Sequence, residues 1–329
     1  MRTIHKVVST VSYSAAELER LRSFFSGAEF VHVDHQDTEA LVREIADADV
    51  AVLEADLDDR VLTGRRLKWV HCNHAGLARS ARPEVFERGI LLSGSAGRSA
   101  EVLAEHAVYF MLNACYHTRE LMAAQSAHEW LREPGMYAWR GLYGRTAGII
   151  GMGHTGKCLA ERLHAFGMRL YTYSRSATPQ LPFIDHEYVM SRGEGPEALY
   201  ENSDFIILCI AMTDQTRHML DAAAFAHVKR GAVLVNMGRG QLVDNEALLA
   251  ALSDGTLSCA GLDVFDPEPL PKDSPLWDCP NVYITPHITP AVPDRNGRCL
   301  EIIRENVRRY LHEEPLINQV KPEDRYSGT

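Results

Sequence analysis

At 329 residues with 46% apolar content, the chain is long for one core and suits a globular protein of two domains. A net charge of −10, with no Lys/Arg block longer than a pair, argues against a broad basic face for nucleic acid and favours small-molecule partners. No apolar run approaches the ~20 residues that span a bilayer and the N-terminus lacks an apolar signal core, so a cytoplasmic protein without membrane contact is expected.

The first hundred residues alternate short apolar strands with helices, the strands being predicted at 6–8, 30–33, 50–53, 67–70 and 90–92. Between the first two, Ser14 and Glu17 spell a capping box ahead of Leu18, Leu21 and Phe25. His71-Cys72-Asn73-His74 does not read as a metal site, because adjacent strand residues point to opposite faces and no second ligand cluster follows. A long helix is predicted over 99–116, with Leu103, Ala107, Phe110 and Ala114 in one stripe. After it, the segment 119–145 carries Trp130, Pro134, Tyr137, Trp139, Leu142 and Tyr143. It fits no strand series and suits a homodimer interface.

Gly148-Ile149-Ile150-Gly151-Met152-Gly153-His154-Thr155-Gly156 then opens a buried strand into glycines spaced G-x-G-x-x-G. A helical pattern follows over 157–166, with Leu159, Ala160, Leu163 and Phe166 on one face, and a further strand over 169–173. Such a loop holds a pyrophosphate at a helix N-terminus: Gly151 permits the turn, Gly153 lets backbone approach the phosphates, and Gly156 lets helix and strand pack. Gly151, Gly156 and Lys157 also match a P-loop up to Cys158, where a magnesium-binding hydroxyl would be required. That mismatch counts against a nucleoside triphosphatase. The strand after the helix ends in Tyr173-Ser174-Arg175-Ser176, without the acidic residue that binds ribose hydroxyls in NAD-specific sites. Arg175 can pair with a 2′-phosphate and the hydroxyls of Ser174 and Ser176 can donate to it, so NADP(H) is expected to be preferred, with NAD(H) possible.

Further strands are predicted at 205–210, 232–236, 260–263 and 282–285. The helical run 301–311 comes after that series is complete and is placed back on the first domain. The expected architecture is therefore α/β, with a Rossmann domain over 101–291 inserted into a doubly wound substrate domain of 1–100 and 292–329, and a cleft between them. Seven cysteines, odd in number and without a C-x-x-C pair, form neither a disulfide framework nor a zinc knuckle, and no metal is expected. Cys158, Cys209 and Cys259 lie on apolar stretches and read as core.

Three motifs stand at predicted strand ends in the second half: Asn236-Met237-Gly238-Arg239-Gly240, Leu262-Asp263-Val264-Phe265-Asp266-Pro267-Glu268-Pro269 and Thr285-Pro286-His287-Ile288. With these, with His74-Ala75-Gly76-Leu77, Ala104-Glu105-His106 and Leu316-Ile317-Asn318, and with the glycine loop, the chain resembles the D-isomer-specific 2-hydroxyacid dehydrogenases over nearly its full length. The resemblance implies a flavodoxin-like substrate domain and reversible NAD(P)H-dependent reduction of a small 2-oxo acid, of glyoxylate or hydroxypyruvate type.

It also implies roles. Arg239 holds the substrate carboxylate in a bidentate fork and polarises the C2 oxygen. His287 is the acid–base, and Glu268 fixes its tautomer and stabilises its charged form. Asp263 accepts a hydrogen bond from the nicotinamide carboxamide. Cofactor contacts are implied for Met152, His154, Thr155, Ile210, Ala211, Thr216 and Met237, beside the glycines and 174–176. Backbone amides of Ala75 and Gly76 complete the carboxylate site, and Arg98 either meets an acidic group on the substrate's tail or is a surface arginine flanking the helix.

The sequence departs from the family pattern where substrate is chosen: Ala78 replaces a common acidic residue, and Ser93-Gly94-Ser95-Ala96-Gly97-Arg98 replaces an asparagine-containing turn. Glu268 stands where formate dehydrogenases carry glutamine. The chain ends soon after the returning helix, so the regulatory domain of long phosphoglycerate dehydrogenases is not expected, and that substrate ranks lower. Corepressors of the C-terminal-binding-protein type share the fold and the triad, which keeps a dinucleotide-sensing binding protein as the alternative.

Overall fold

The computed structural model describes residues 1–132, 141–178 and 181–325. The chain divides into two compact units, Met1–Arg98 with Ala291–Thr329, and Ser99–Pro290.

The first unit begins with β1 (Lys6–Ser9), α1 (Ala15–Phe24), β2 (Glu29–His32), α2 (Thr38–Ile45), β3 (Val50–Leu53), α3 (Asp59–Leu62), β4 (Trp69–Cys72), α4 (Pro83–Glu87) and β5 (Leu91–Gly94). All residues of β1, β3 and β4 are buried, as parallel strands covered on both faces must be. The capping box of α1 forms, with Ser14 accepting from the Glu17 amide and Glu17 accepting from the Ser14 amide. β4 runs two residues past the predicted end. His71 can lie inside it because its ring nitrogens meet the Ser93 and Ser95 hydroxyls at 2.9 and 3.0 Å.

The second unit contains α5 (Ala100–Tyr116), α6 (Thr118–Ser126), β6 (Thr146–Ile150), α7 (His154–Ala165), β7 (Arg169–Ser174), β8 (His186–Val189), α8 (Glu197–Asn202), β9 (Phe205–Leu208), α9 (Ala222–Phe225), β10 (Ala232–Asn236), α10 (Asn245–Asp254), β11 (Leu257–Leu262) and β12 (Val282–Ile284). Its seven strands are all parallel, in the order β12-β11-β10-β9-β6-β7-β8. α5 packs on α7, β10 and β11. A Cβ at Gly261 would sit 2.5 Å from the Cβ of Phe110, so the missing side chain lets α5 lie directly on β11. Of the aromatic-rich segment, Trp130 and Tyr143 are exposed whereas Leu142 is buried in the core of this unit. Pro134, Tyr137 and Trp139 lie outside the described residues.

The chain then returns to the first unit through α11 (Arg295–Leu311) and β13 (Gln319–Val320). α11 packs on α1, and its Leu300, Ile303 and Tyr310 share a core with Val7, Leu21 and Trp69. β13 pairs antiparallel with β5, completing the order β13-β5-β4-β3-β1-β2. Apart from that edge, this is the 2-1-3-4-5 arrangement of flavodoxin-like sheets, while the second unit has Rossmann order extended by one strand.

Candidate active site

In a doubly wound sheet ligands bind outside the carboxyl ends of the strands, where the strand order reverses. In the second unit that point lies between β6 and β9, and the glycine loop stands there. Gly151 has φ +98°, and a Cβ on it would meet the Cys209 and Ile210 backbone at 2.7 Å. At Gly156 a Cβ would fall 2.0 Å from the Gly151 carbonyl oxygen. Both glycines are demanded by contact within the protein. Gly153 differs: it is exposed, and a Cβ there would meet no atom within 4 Å. Its lack of a side chain serves nothing in the protein and leaves open space in front of the N-terminus of α7. The first amide to bond back within that helix is Lys157, to the Gly153 carbonyl at 3.1 Å, so the first-turn amides precede the helical ladder. A dinucleotide pyrophosphate fits this cradle. Met152 is buried beneath it, Thr155 half-buried and His154 exposed.

At the end of β7, Arg175 and Ser176 are exposed and no carboxylate follows Tyr173. The Ser174 hydroxyl is buried and donates to the Ser176 carbonyl at 2.7 Å, closing the turn. Thr216 is engaged within its own loop. Its hydroxyl donates to the Ala211 carbonyl and accepts from the Thr213 amide, both at 2.8 Å. It folds the loop after β9 that carries Ile210 and Ala211. Met237 is buried at the end of β10.

The loops after β10, β11 and β12 are drawn together. Asn236 braces the first, accepting from the Gly238 amide at 3.0 Å and donating to the Arg239 carbonyl at 2.9 Å. A Cβ at Gly240 would lie 2.0 Å from the Phe265 backbone, so this loop and the next touch. Arg239 is half-buried, and its guanidinium donates to the Gly238 carbonyl at 2.7 Å. Glu268 accepts from the Phe265 amide at 2.9 Å through one oxygen and meets His287 Nδ1 at 2.8 Å through the other. That contact occupies Nδ1 and leaves Nε2 as the imidazole atom for proton transfer. His287 is about a third exposed, at 35% of its side chain, and has φ +51°, an uncommon conformation for a residue other than glycine. Asp263, only 1% exposed, accepts from the Thr285 hydroxyl at 2.6 Å and the Ile288 amide at 3.3 Å. It thereby ties β11 to the turn that bears His287.

Ala75, Gly76 and Arg98 belong to the first unit. The loop after β4 has Gly76 at φ +79° and packs on Gly94, where a Cβ would lie 2.8 Å from the His74 carbonyl oxygen. Asn73, ahead of it, accepts from the Tyr13 hydroxyl at 2.6 Å and donates to Glu54 at 3.3 Å. Arg98 is tied to the residue ahead of that loop. Its guanidinium donates to the Asn73 carbonyl and is half-buried, and burial lowers its pKa. Through that bond it braces the residue preceding the loop. Sequence reasoning missed the bracing by Asn73 and Thr285, whose partners are distant in the chain, and that by Asn236, which forms a local turn. Among the described residues no cluster of His, Cys, Asp or Glu could hold a metal ion.

The family model of the D-isomer specific 2-hydroxyacid dehydrogenase NAD binding domain matches residues 108–289. Glyoxylate reductase of Korarchaeum cryptofilum is 32% identical over 288 residues, 85% of each chain. Glyoxylate/hydroxypyruvate reductase B of Klebsiella pneumoniae is 34% identical over 239 residues, 72% of each chain. Among solved structures, an NADPH-dependent glyoxylate/hydroxypyruvate reductase from Sinorhizobium meliloti, in complex with NADP and sulfate, aligns with a TM-score of 0.78 at 27% identity. The alignment covers 97% of this chain and 98% of that one.

Proposed function

The chain belongs to the D-isomer-specific 2-hydroxyacid dehydrogenases and is an NAD(P)-dependent oxidoreductase, and from that premise we propose that it reversibly reduces a small 2-oxo acid of glyoxylate or hydroxypyruvate type to the D-2-hydroxy acid, preferring NADPH. The observation that carries the chemistry is the 2.8 Å contact between Glu268 and His287 Nδ1, beside the loop of Arg239. With Nδ1 held by a carboxylate, protonated His287 donates from Nε2 to the C2 oxygen, and the imidazolium is stabilised by Glu268 until the proton leaves. Arg239 binds the substrate carboxylate and polarises the carbonyl. A bound nicotinamide dinucleotide supplies the hydride to C2. Asp263 accepts from its carboxamide, and the first unit is the substrate domain, with Ala75 and Gly76 as carboxylate-binding amides.

The preference for NADPH rests on Arg175 and on the absence of a carboxylate at the end of β7. The relatives named glyoxylate and hydroxypyruvate reductases support the substrate class. A homodimer through the segment 119–145 is part of the proposal, supported by exposed Met122, Trp130 and Tyr143. The test is a panel of 2-oxo acids assayed with NADPH and NADH, with light scattering at micromolar concentration. Turnover of glyoxylate or hydroxypyruvate, faster with NADPH, by a particle of twice the chain mass is expected. No turnover of either acid would refute the substrate class, equal kcat/KM for the two cofactors the preference, and a monomer mass the dimer.

A further inference from the structure

His106 lies on the first turns of α5 and has no part in the chemistry described so far. Its helix is fixed by Phe110, which packs on Gly261 of β11. One turn earlier on the same face, the His106 ring stands 4.7 Å from that of Phe110 and 5.4 Å from that of Tyr109. Both ring nitrogens are engaged: Nδ1 meets the Thr289 hydroxyl in a short contact, and Nε2 meets Thr285 Oγ1 at 3.3 Å. Thr285 and Thr289 flank the turn that bears His287. One imidazole thus grips both ends of the turn carrying another.

The direction of each bond follows from the carboxylate at the end of the chain. Asp263 can only accept, so the Thr285 hydroxyl proton points to it, across 2.6 Å. Thr285 oxygen then accepts from His106 Nε2–H, which leaves Nδ1 to accept from the Thr289 hydroxyl. This arrangement needs a neutral ring, and burial lowers the His106 pKa. The Thr285 and Ile288 bonds both fall on Asp263 Oδ1, which leaves Oδ2 for another donor.

We infer that His106 is a positioning residue: it clamps the turn 285–289 and, through Thr285, aims Asp263 Oδ2 at the nicotinamide carboxamide. The inference rests on the proposed role of Asp263. A positioning role affects only the nicotinamide end of the cofactor, whereas a general loss of structure would affect both ends.

The test compares the dissociation constant of the reduced dinucleotide with that of the same molecule lacking nicotinamide. The pairs are NADPH with 2′-phospho-ADP-ribose, or NADH with ADP-ribose, whichever dinucleotide the unmodified full chain binds tighter. His106→Leu should weaken the dinucleotide by about tenfold, the loss of one hydrogen bond to a charged group, and lower kcat on glyoxylate, with the fragment unchanged. His106→Gln, which keeps an amide donor at similar reach, should restore most of the difference. Thr285→Val removes only the middle hydroxyl and should give the same split if His106→Leu fails to fold. Equal weakening of dinucleotide and fragment in the folded variants, or no weakening of either, would overturn the inference. If the unmodified protein bound the dinucleotide no tighter than the fragment, the Asp263 assignment itself would fall, and this inference with it.

Discussion

Gly153 and Gly156 stand three residues apart in one motif, yet the structure gives alanine opposite consequences at the two. At Gly153 the backbone has φ −75° and ψ −157°, which alanine adopts without strain, and a Cβ would meet no protein atom within 4 Å. Lower chain entropy in the unfolded state favours alanine by about 0.4–1 kcal/mol, while its poorer N-capping costs a similar amount. Gly153→Ala should therefore leave the melting temperature within about 2 °C. The methyl group occupies the space left for the pyrophosphate, however, and losing one charge-assisted bond there costs about 1.5–3 kcal/mol, or roughly 10- to 100-fold in affinity. At Gly156 the Cβ would lie 2.0 Å from the Gly151 carbonyl oxygen, more than ~1 Å inside ordinary contact. The opposing atom is backbone, so α7 must lift from β6. Gly156→Ala should lower stability by about 1–3 kcal/mol and weaken dinucleotide binding as well. Calorimetry together with titration of NADPH fluorescence separates the cases. Native-like NADPH affinity in Gly153→Ala would refute the assignment of that open space to a pyrophosphate.

His287→Ala should lower kcat by about 10²–10⁴ at neutral pH while NADPH titration stays near native; retained turnover would remove His287 as the proton donor. Arg239→Lys should raise KM and also lower kcat, since one group both binds and polarises, and a change confined to KM would limit it to binding. Arg175→Ala combined with Ser174→Asp should reverse the cofactor preference in steady-state kcat/KM, and an unchanged ratio would place the discrimination elsewhere. Burial pushes the His71 pKa down to about 3 from 6.5, so the unfolded chain binds the extra proton between those values. The stability from its neutral form is full above pH 6.5 and is lost as pH falls towards 3, by about 2 kcal/mol at pH 5. Urea unfolding at pH 8 and pH 5 should show that loss in the native chain and not in His71→Gln; equal losses in both would refute it.

The parts of the site visible in the sequence were those made by contiguous residues. The glycine loop and the motifs around Arg239, Glu268 and His287 follow buried parallel strands, whose unbroken apolar runs mark where each loop begins. β8 gave no such signal, because His186-Glu187-Tyr188-Val189 is an edge strand with only Val189 buried. β4 is shifted two residues from the expected 67–70 because polarity resumes at His71, although two serine hydroxyls keep that residue inside. α11 starts six residues earlier than its apolar pattern, its first turn being the polar Arg295-Asn296-Gly297-Arg298. For Arg98, Ser174 and Thr216 the residue type reveals a donor but not the carbonyl that accepts from it within the protein. His106 was visible only as part of a resemblance, since its partners lie some 180 positions away, as the separations of 179 and 183 residues record.

The return of α11 to the first unit sets an order of events during synthesis. Trp69 lies in β4, but its indole stacks on Tyr310 of α11 at 5.4 Å between ring centroids, in a core shared with Val7 and Leu21. A ribosome adding about 5–20 residues per second makes the whole second unit, Ser99–Pro290, before that helix emerges. For roughly 10–40 s at that rate, the time taken to make the inserted unit, the nascent first unit carries an uncovered apolar face, and the inserted unit has its full sequence before the first unit has its own. The half of the protein that is begun first is therefore finished last, and the interval is the one in which a chaperone or an aggregating neighbour would find Trp69 exposed.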